Sequence, residues 1–292
     1  MIGVNKNVAL QKNLGRMNIV SFQDDLPMPN PTQHRLLSLS ELPRAGLELA
    51  SLAASAPWLS LSPRGDKHPV VVIPGFLASD DSTALLRRYL TFLGYDTYTW
   101  GQGRNLGISK MGGYEPLVNH VLRIYRKTGR TVSLVGWSLG GVHALAVADR
   151  AGYAVRQLVT LGSPIRTEGP TTAMFTALRS AARQLNGELL STPNVPSFGL
   201  RHGLQNVSAK IPVTAVYSRT DGVVHWRRAH VEESERRQNI EVHSSHIGLG
   251  IHPAVLFAVA DRLALDEASF TPFHREGWRA LTYPKAVSGQ NT

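Results

Sequence analysis

Cysteine is absent from this sequence of 292 residues, and its absence excludes three kinds of chemistry. Without a thiol the chain forms no disulfide, offers no thiolate to a metal ion and has no cysteine nucleophile. His243 and His246 stand three residues apart, yet no third metal ligand has a recognisable spacing from them. We therefore predict neither a metal ion nor an organic cofactor.

Long apolar segments are missing too. The first residues, MIGVNKNVALQKNLG, lack the continuous apolar stretch of a signal peptide. The segment Ala45–Leu61 is apolar, but it is too short to span a bilayer and contains Glu48 and Pro57. We expect a cytoplasmic protein in which this segment is an amphipathic helix that packs on the core rather than one that docks on a membrane.

Dense runs of one charge are also lacking, although the formal net charge is +10. A basic protein of this kind suits nucleic acid, a membrane surface or an acidic substrate, so the distribution of the charge must decide. The arginines are scattered over different predicted helices, with no basic tract interleaved with aromatic residues. We predict no nucleic-acid partner. Transient contact with an anionic membrane surface stays open, as does the oligomeric state.

From Pro69 onward, short apolar runs alternate with amphipathic segments of helical period, a pattern typical of β-α-β units that build a parallel sheet. This predicts the α/β class, with a compact, mostly parallel sheet of about six strands flanked by helices, and a last helix at Pro253–Leu265. The predicted strands are Val70–Ile73, Tyr95–Trp100, Thr131–Val135, Val155–Leu161, Pro212–Tyr217 and Asn239–His243.

The organisation along the chain follows from these elements. Residues 1–66 are predicted to be an N-terminal arm and helical extension, residues 67–162 and 209–267 the core, and residues 268–292 a C-terminal tail. The connection 163–208 is far longer than an ordinary crossover, which predicts a functional insertion. This insertion contains an apolar stripe, which is expected either of a lid over a hydrophobic acyl site or of ordinary core packing. The stripe consists of Met174, Phe175, Leu178, Leu185, Leu189 and Leu190.

The motif with the clearest chemistry is Gly136-Trp137-Ser138-Leu139-Gly140, which follows the apolar strand TVSLV and precedes a helical stretch. Such a tight strand-to-helix turn projects the serine, and small residues two positions on either side avoid a backbone clash. The dipole of the following helix then favours an anionic intermediate near Ser138.

On this motif and its context the chain resembles the α/β-hydrolase family, specifically its bacterial lipase and esterase branch, from about His68 to Leu265. The resemblance implies a triad in the order serine, acid, histidine. Asp221 follows the strand PVTAVY directly, and His246 lies between the last strand and the last helix. The rivals for the histidine are His243, which can still belong to the strand, and His252.

The stretch Pro74-Gly75-Phe76-Leu77 follows the first strand and resembles the family's oxyanion loop, with proline where that loop usually has histidine. We expect the oxyanion donors to be the backbone N–H groups of Phe76 and Leu139, with Leu77 as the alternative to Phe76.

The glycine-rich segment 101–107 resembles a dinucleotide-binding loop only superficially. It follows the second strand, Pro116 interrupts the expected helix, and no acidic residue ends the following strand. We expect it to form a wall of the active-site cleft.

These features predict a serine hydrolase that cleaves a small-molecule or lipid ester through an acyl-enzyme on Ser138. An acyltransferase that uses the same acyl-enzyme stays open. A binding protein of the same fold is disfavoured, because it has no need for all three groups of the triad.

Overall fold

The structure is a computed structural model, and it describes residues 31–166, 169–186 and 207–285. In these residues six parallel strands form one sheet with the order β2-β1-β3-β4-β5-β6. The strands are β1 (Pro69–Ile73), β2 (Asp96–Thr99), β3 (Val132–Trp137), β4 (Val155–Leu161), β5 (Val213–Tyr217) and β6 (Arg237–Glu241). The predicted fold class is confirmed.

Helices connect and flank these strands. The longer ones are α1 (Pro31–Leu39), α2 (Glu41–Leu59), α3 (Ala84–Phe92), α4 (Glu115–Thr128), α5 (Leu139–Ala151), α6 (Ala173–Asn186) and α8 (Pro253–Leu263). Two single turns, α7 (Trp226–Ala229) and α9 (Arg279–Thr282), complete the α-helices of the described residues, and three short 3-10 helices lie at Asp80–Thr83, Gly152–Ala154 and Gly248–Gly250. None of these helices is both long and apolar enough to cross a bilayer.

The sheet is covered on both faces, which is why its strands read as continuous apolar runs. In β1 the side chains of Val71 and Ile73 pack with residues of α4 and α5. Val70 and Val72 point to the other face and pack with residues of α3 and α8. The alternation follows from the two-residue period of a strand.

The predicted bounds of β6 were wrong. Asn239–His243 was expected, whereas the strand runs Arg237–Glu241, so that His243 lies two residues beyond its end. Arg237 and Gln238 are polar, and their place in the sheet comes from parallel pairing with Val213 and Thr214 of β5. Apolarity, the signal used to place the strand, does not detect such residues.

The topology brings four loops to one edge of the sheet. Since parallel strands end on the same side, the segments after β1, β3, β5 and β6 meet at the carboxyl edge, where open α/β sheets bind ligands. These segments contain Pro74–Leu77, Ser138, Asp221 and His246 respectively.

Candidate active site

Ser138 lies in the turn between β3 and α5, with a positive φ of 53° and a ψ of −120°. A non-glycine residue with positive φ is uncommon and costs energy, so the surrounding packing must hold it there. Two glycines make the turn possible. A Cβ at Gly140 would lie 2.1 Å from the Ile73 carbonyl oxygen, and one at Gly136 would lie 2.4 Å from the Gly141 Cα.

A continuous hydrogen-bonded chain links the three predicted side chains. His246 Nε2 lies 3.0 Å from Ser138 Oγ, and His246 Nδ1 lies 2.6 Å from Asp221 Oδ2. The second carboxylate oxygen, Asp221 Oδ1, accepts the backbone N–H groups of Val223 and Val224 at 2.8 and 2.7 Å. The carboxylate is therefore held on both sides, and the imidazole is aligned between an acceptor and a hydroxyl.

The charge around His246 favours its protonated form. Burial alone would lower its pKa, but the Asp221 carboxylate in contact with the ring and the carboxylate of Glu41 raise the pKa above the ordinary value. An imidazole that has just accepted a proton is thereby stabilised. The backbone carbonyl of His246 is itself fixed, since Trp137 Nε1 donates to it at 3.1 Å.

The two rival histidines have other surroundings. His243 is exposed beyond the end of β6. His252 is the N-cap of α8, where its Nδ1 accepts the backbone N–H of Ala254 at 3.2 Å. Burial and the charge of His243 lower the pKa of His252 to about 4. Of the three candidates, His246 is the one that the structure places between Asp221 and Ser138.

The segment after β1 lies against the serine. A Cβ at Gly75 would be 3.2 Å from Ser138 Cβ, which shows how closely the two backbones approach. Leu77 has φ 65°, and its N–H donates to the Asn105 carbonyl at 2.7 Å. That bond commits the N–H of Leu77, the alternative donor. Leu139 is the first residue of α5, a position whose N–H has no acceptor within its own helix.

Asn105 is a residue that the sequence reasoning missed. It is fully buried, and its Nδ2 donates to the Pro74 carbonyl at 2.8 Å, while its backbone N–H donates to Ala78 O at 2.8 Å. Together with the bond from Leu77, these contacts hold the segment after β1 from both ends. The glycine-rich loop expected to be a wall of the cleft thus contains the residue that braces this segment.

A second Ser–His–Asp chain joins β3 to the segment before β1. His68 Nε2 is 2.8 Å from Ser133 Oγ, and His68 Nδ1 is 2.5 Å from Asp66 Oδ1. Ser133 and His68 are fully buried, and Ser133 lies within β3 rather than in a turn. Burial and the Arg156 guanidinium lower the pKa of His68 to about 4. Hydrogen bonding alone therefore does not make a site here, because Ser133 and His68 have no surface open to a substrate.

Part of the predicted lid is described. Helix α6 occupies the insertion, and its Phe175 is buried against a small cluster that includes Val223, Val224 and Trp226. Met174 and Leu185 are exposed. The predicted stripe residues Leu189 and Leu190 lie outside the described residues, and the lid function stays a prediction.

Among the described residues, no group of three His, Asp or Glu side chains is arranged to hold a metal ion.

Comparison with known proteins finds similarity in structure alone. No protein-family model and no curated protein matches the sequence. Among solved structures, the chain is similar to lipase B of Aspergillus fumigatus, at 17% identity and a TM-score of 0.49 over 68% of this chain and 53% of that one. The chain thus spans about half the length of the fungal lipase.

Two bacterial enzymes of more similar length are also among the structural neighbours. One is the Bacillus licheniformis lipase BlEst2 in mature form, at 17% identity and a TM-score of 0.46 over 70% of this chain and 94% of that one. The other is the naproxen esterase of Bacillus subtilis, at 15% identity and a TM-score of 0.45 over 75% and 97%. Likeness of this degree says nothing of reaction or substrate.

The fold itself rests on the chain's own topology. Six parallel strands in the order β2-β1-β3-β4-β5-β6, with a serine in a strained turn between β3 and α5, have the arrangement of the α/β-hydrolase fold.

Proposed function

We propose that this protein is a serine hydrolase that cleaves carboxylic esters through an acyl-enzyme on Ser138. The observation that carries the proposal is the continuous chain from Asp221 through His246 to Ser138, with the serine in a strained turn at the start of a helix. A nucleophile within reach of a base, and a base oriented by a third group, is the arrangement that nucleophilic catalysis requires.

Acylation begins when Ser138 Oγ attacks the ester carbonyl carbon. The hydroxyl proton passes to His246 Nε2, and the carbonyl electron pair moves to oxygen. Asp221 keeps the proton of Nδ1 in place and stabilises the imidazolium. The intermediate then collapses, the bond to the alcohol oxygen breaks, and the alcohol leaves with the proton from Nε2. Ser138 is left as an ester of the acyl group.

The negative oxygen of the intermediate needs donors that are already in place. In the proposed site these are the backbone N–H groups of Phe76 and Leu139, and the dipole of α5 adds to them. The close approach of Gly75 to Ser138 and the bracing of the same loop by Asn105 support this assignment.

Deacylation reverses the roles with water as the nucleophile. Water gives a proton to His246 Nε2 and its oxygen attacks the acyl carbon. Collapse releases the carboxylic acid, and Ser138 Oγ regains the proton. The substrate is a small-molecule or lipid ester, and its acyl length is to be measured.

The test is labelling with a fluorophosphonate probe, followed by intact mass, together with hydrolysis of p-nitrophenyl esters of graded acyl length. We expect one label on the native chain, no label on Ser138→Ala, and turnover that disappears with the label. The chain-length profile then separates an esterase from a lipase.

The matched control is Ser133→Ala, because Ser133 is also bonded to a histidine that is bonded to an aspartate. This variant should keep the label and the turnover. A label that survives in Ser138→Ala, or a folded native chain that takes no label, would refute the proposed function.

A further inference from the structure

The first two turns of helix α2 carry charged side chains toward the protein and leucines toward solvent, whereas Leu59 at its other end is buried in the core. Leu42 and Leu47 are 73% and 72% exposed, whereas Glu41 is only 4% exposed. The side chains of Glu41, Arg44 and Glu48 instead reach backbone groups in the loops that contain Asp221 and His246. This is the reverse of an ordinary surface helix, so the inward charges call for a function.

Glu41 connects the acid loop with the histidine loop. Its Oε1 accepts the backbone N–H of Gly222 at 2.8 Å, and its Oε2 accepts the backbone N–H of Ile247 at 3.0 Å. These residues follow Asp221 and His246 directly in the chain. One carboxylate therefore sets the spacing between the segments that hold the acid and the imidazole.

Glu48, two turns further along α2, holds the other side of the histidine. Its Oε1 accepts the backbone N–H of Ser245 at 2.7 Å, and its Oε2 lies 2.8 Å from Ser245 Oγ and 3.3 Å from Ser244 Oγ. A Cβ at Gly248 would lie 1.2 Å from Glu48 Oε2, so that only glycine leaves room for the carboxylate. The residues before and after His246 are thus each bound by a glutamate.

The acid loop is held before Asp221 as well. Arg44 donates to the backbone carbonyl and the hydroxyl of Thr220 at 2.7 and 3.0 Å. Ser38 of α1 donates to the Gly222 carbonyl. Together with the bond from Gly222 to Glu41, these contacts fix both neighbours of Asp221.

We propose that Glu41 and Glu48 are positioning residues. They hold His246 at its observed distances from Asp221 and Ser138 by binding the residue after Asp221 and the residues before and after His246. This inference rests on the proposed function for its catalytic consequence. It assigns to the N-terminal helices a role in assembling the site.

Glu41 has an electrostatic effect in addition to its bonds. Its charge is one of the causes that raise the pKa of His246, with the Asp221 carboxylate the larger of the two. Other charged or titratable groups in or beside the two loops include Arg44, Glu48, Arg219, His34, His225 and His243.

The chemistry of the partners distinguishes the two glutamates. Both oxygens of Glu41 accept backbone N–H groups, so a glutamine would turn its NH₂ toward a donor and leave that donor unpaired. The second oxygen of Glu48 faces hydroxyl groups, which can accept from an amide as readily as they donate. Glutamine should therefore replace Glu48 far better than Glu41.

The experiment compares Glu41→Gln, Glu48→Ala and Glu48→Gln in the full chain. Glu41→Gln should lower kcat about tenfold and lower the pKa of the His246 imidazole, since one negative charge near the ring is lost. Glu48→Ala should lower kcat about tenfold with KM changed less than about twofold, and Glu48→Gln should recover most of that loss. The imidazole pKa is followed by NMR with labelled histidine, and His246→Ala identifies its signal.

The control variant is Asp261→Asn. It removes a buried carboxylate near the C-terminal end of α8, which is paired with Arg262 of the same helix and with Arg279 of α9. We expect it to lower the unfolding temperature without altering kcat or the imidazole pKa. An unchanged imidazole pKa in folded Glu41→Gln overturns the inference, as does a loss of kcat in Asp261→Asn equal to that in Glu48→Ala. The NMR titration needs no turnover. Failure of fluorophosphonate labelling therefore refutes the proposed function, while the NMR titration tests the positioning role independently of it.

Discussion

Replacing Asp221 by asparagine tests the triad with almost no change of shape. The native carboxylate uses one oxygen for the N–H groups of Val223 and Val224 and the other for His246. In the variant the amide oxygen must stay with the two N–H donors, because turning it away leaves both unpaired, at about 1–3 kcal/mol each. The NH₂ group then faces His246 Nδ1.

That orientation selects the wrong tautomer. An NH₂ donor requires Nδ1 to accept, so the imidazole proton moves to Nε2, which then cannot take the proton of Ser138. We expect kcat to fall roughly 10³- to 10⁴-fold, which corresponds to about 4 to 5.5 kcal/mol in the barrier. Stability should change little, since the bonds to Val223 and Val224 survive.

The assay is hydrolysis of the preferred p-nitrophenyl ester at saturating substrate, with the rate of fluorophosphonate labelling measured in parallel. Asp66→Asn is the matched control, because Asp66 is bonded to His68 Nδ1 as Asp221 is to His246 Nδ1, and it also pairs with Arg130 and Arg156. It should destabilise the fold and leave kcat within about threefold of native. A folded Asp221→Asn variant within tenfold of native kcat would refute the tautomer argument.

Two further outcomes are expected. The value of kcat/KM should fall as the pH drops through the pKa of His246, because the base must be neutral. Since that pKa is raised, the midpoint of this fall should lie above the ordinary pKa of histidine, and a midpoint below it would contradict the assignment. Gly248→Ala should lower kcat like Glu48→Ala, because a Cβ there displaces the Glu48 carboxylate, and native kcat in a folded Gly248→Ala variant would count against the contact.

Much of the site was visible in the order of residues. The elbow around Ser138 needs a strand, a strained turn and a helix in immediate succession, so local sequence specifies it. Asp221 and His246 were predicted from the triad order that the family resemblance implies and from their positions after strands, and the structure places both at the same sheet edge as Ser138. Parallel topology makes such a prediction possible, because the carboxyl ends of the strands meet.

Other features could not be read in the same way. Asp66, His68 and Ser133 form the same hydrogen-bonded chain as the proposed triad, and the two sets differ in the serine, since Ser133 is fully buried within β3 whereas Ser138 is half-buried in a turn. Asn105 gave no signal, because its bonds to Pro74 and Ala78 join segments that lie apart in the chain. A side chain's role in bracing a loop depends on what lies opposite, which local pattern does not encode.

The N-terminal helices show most clearly which features the sequence determines and which depend on tertiary structure. The amino-acid sequence determined by itself the class of fold, the position of the elbow and the helical state of most of α2, since periodicity and turn chemistry are local properties. Tertiary structure decided which face of α2 turns inward, because Glu41 and Glu48 find unpaired backbone N–H groups only where the loops after β5 and β6 come together. Hydrophobic patterning predicts burial of Leu42 and Leu47, yet both are exposed. The buried N–H donors of those loops require acceptors, and the two carboxylates on the opposite side of the helix supply them.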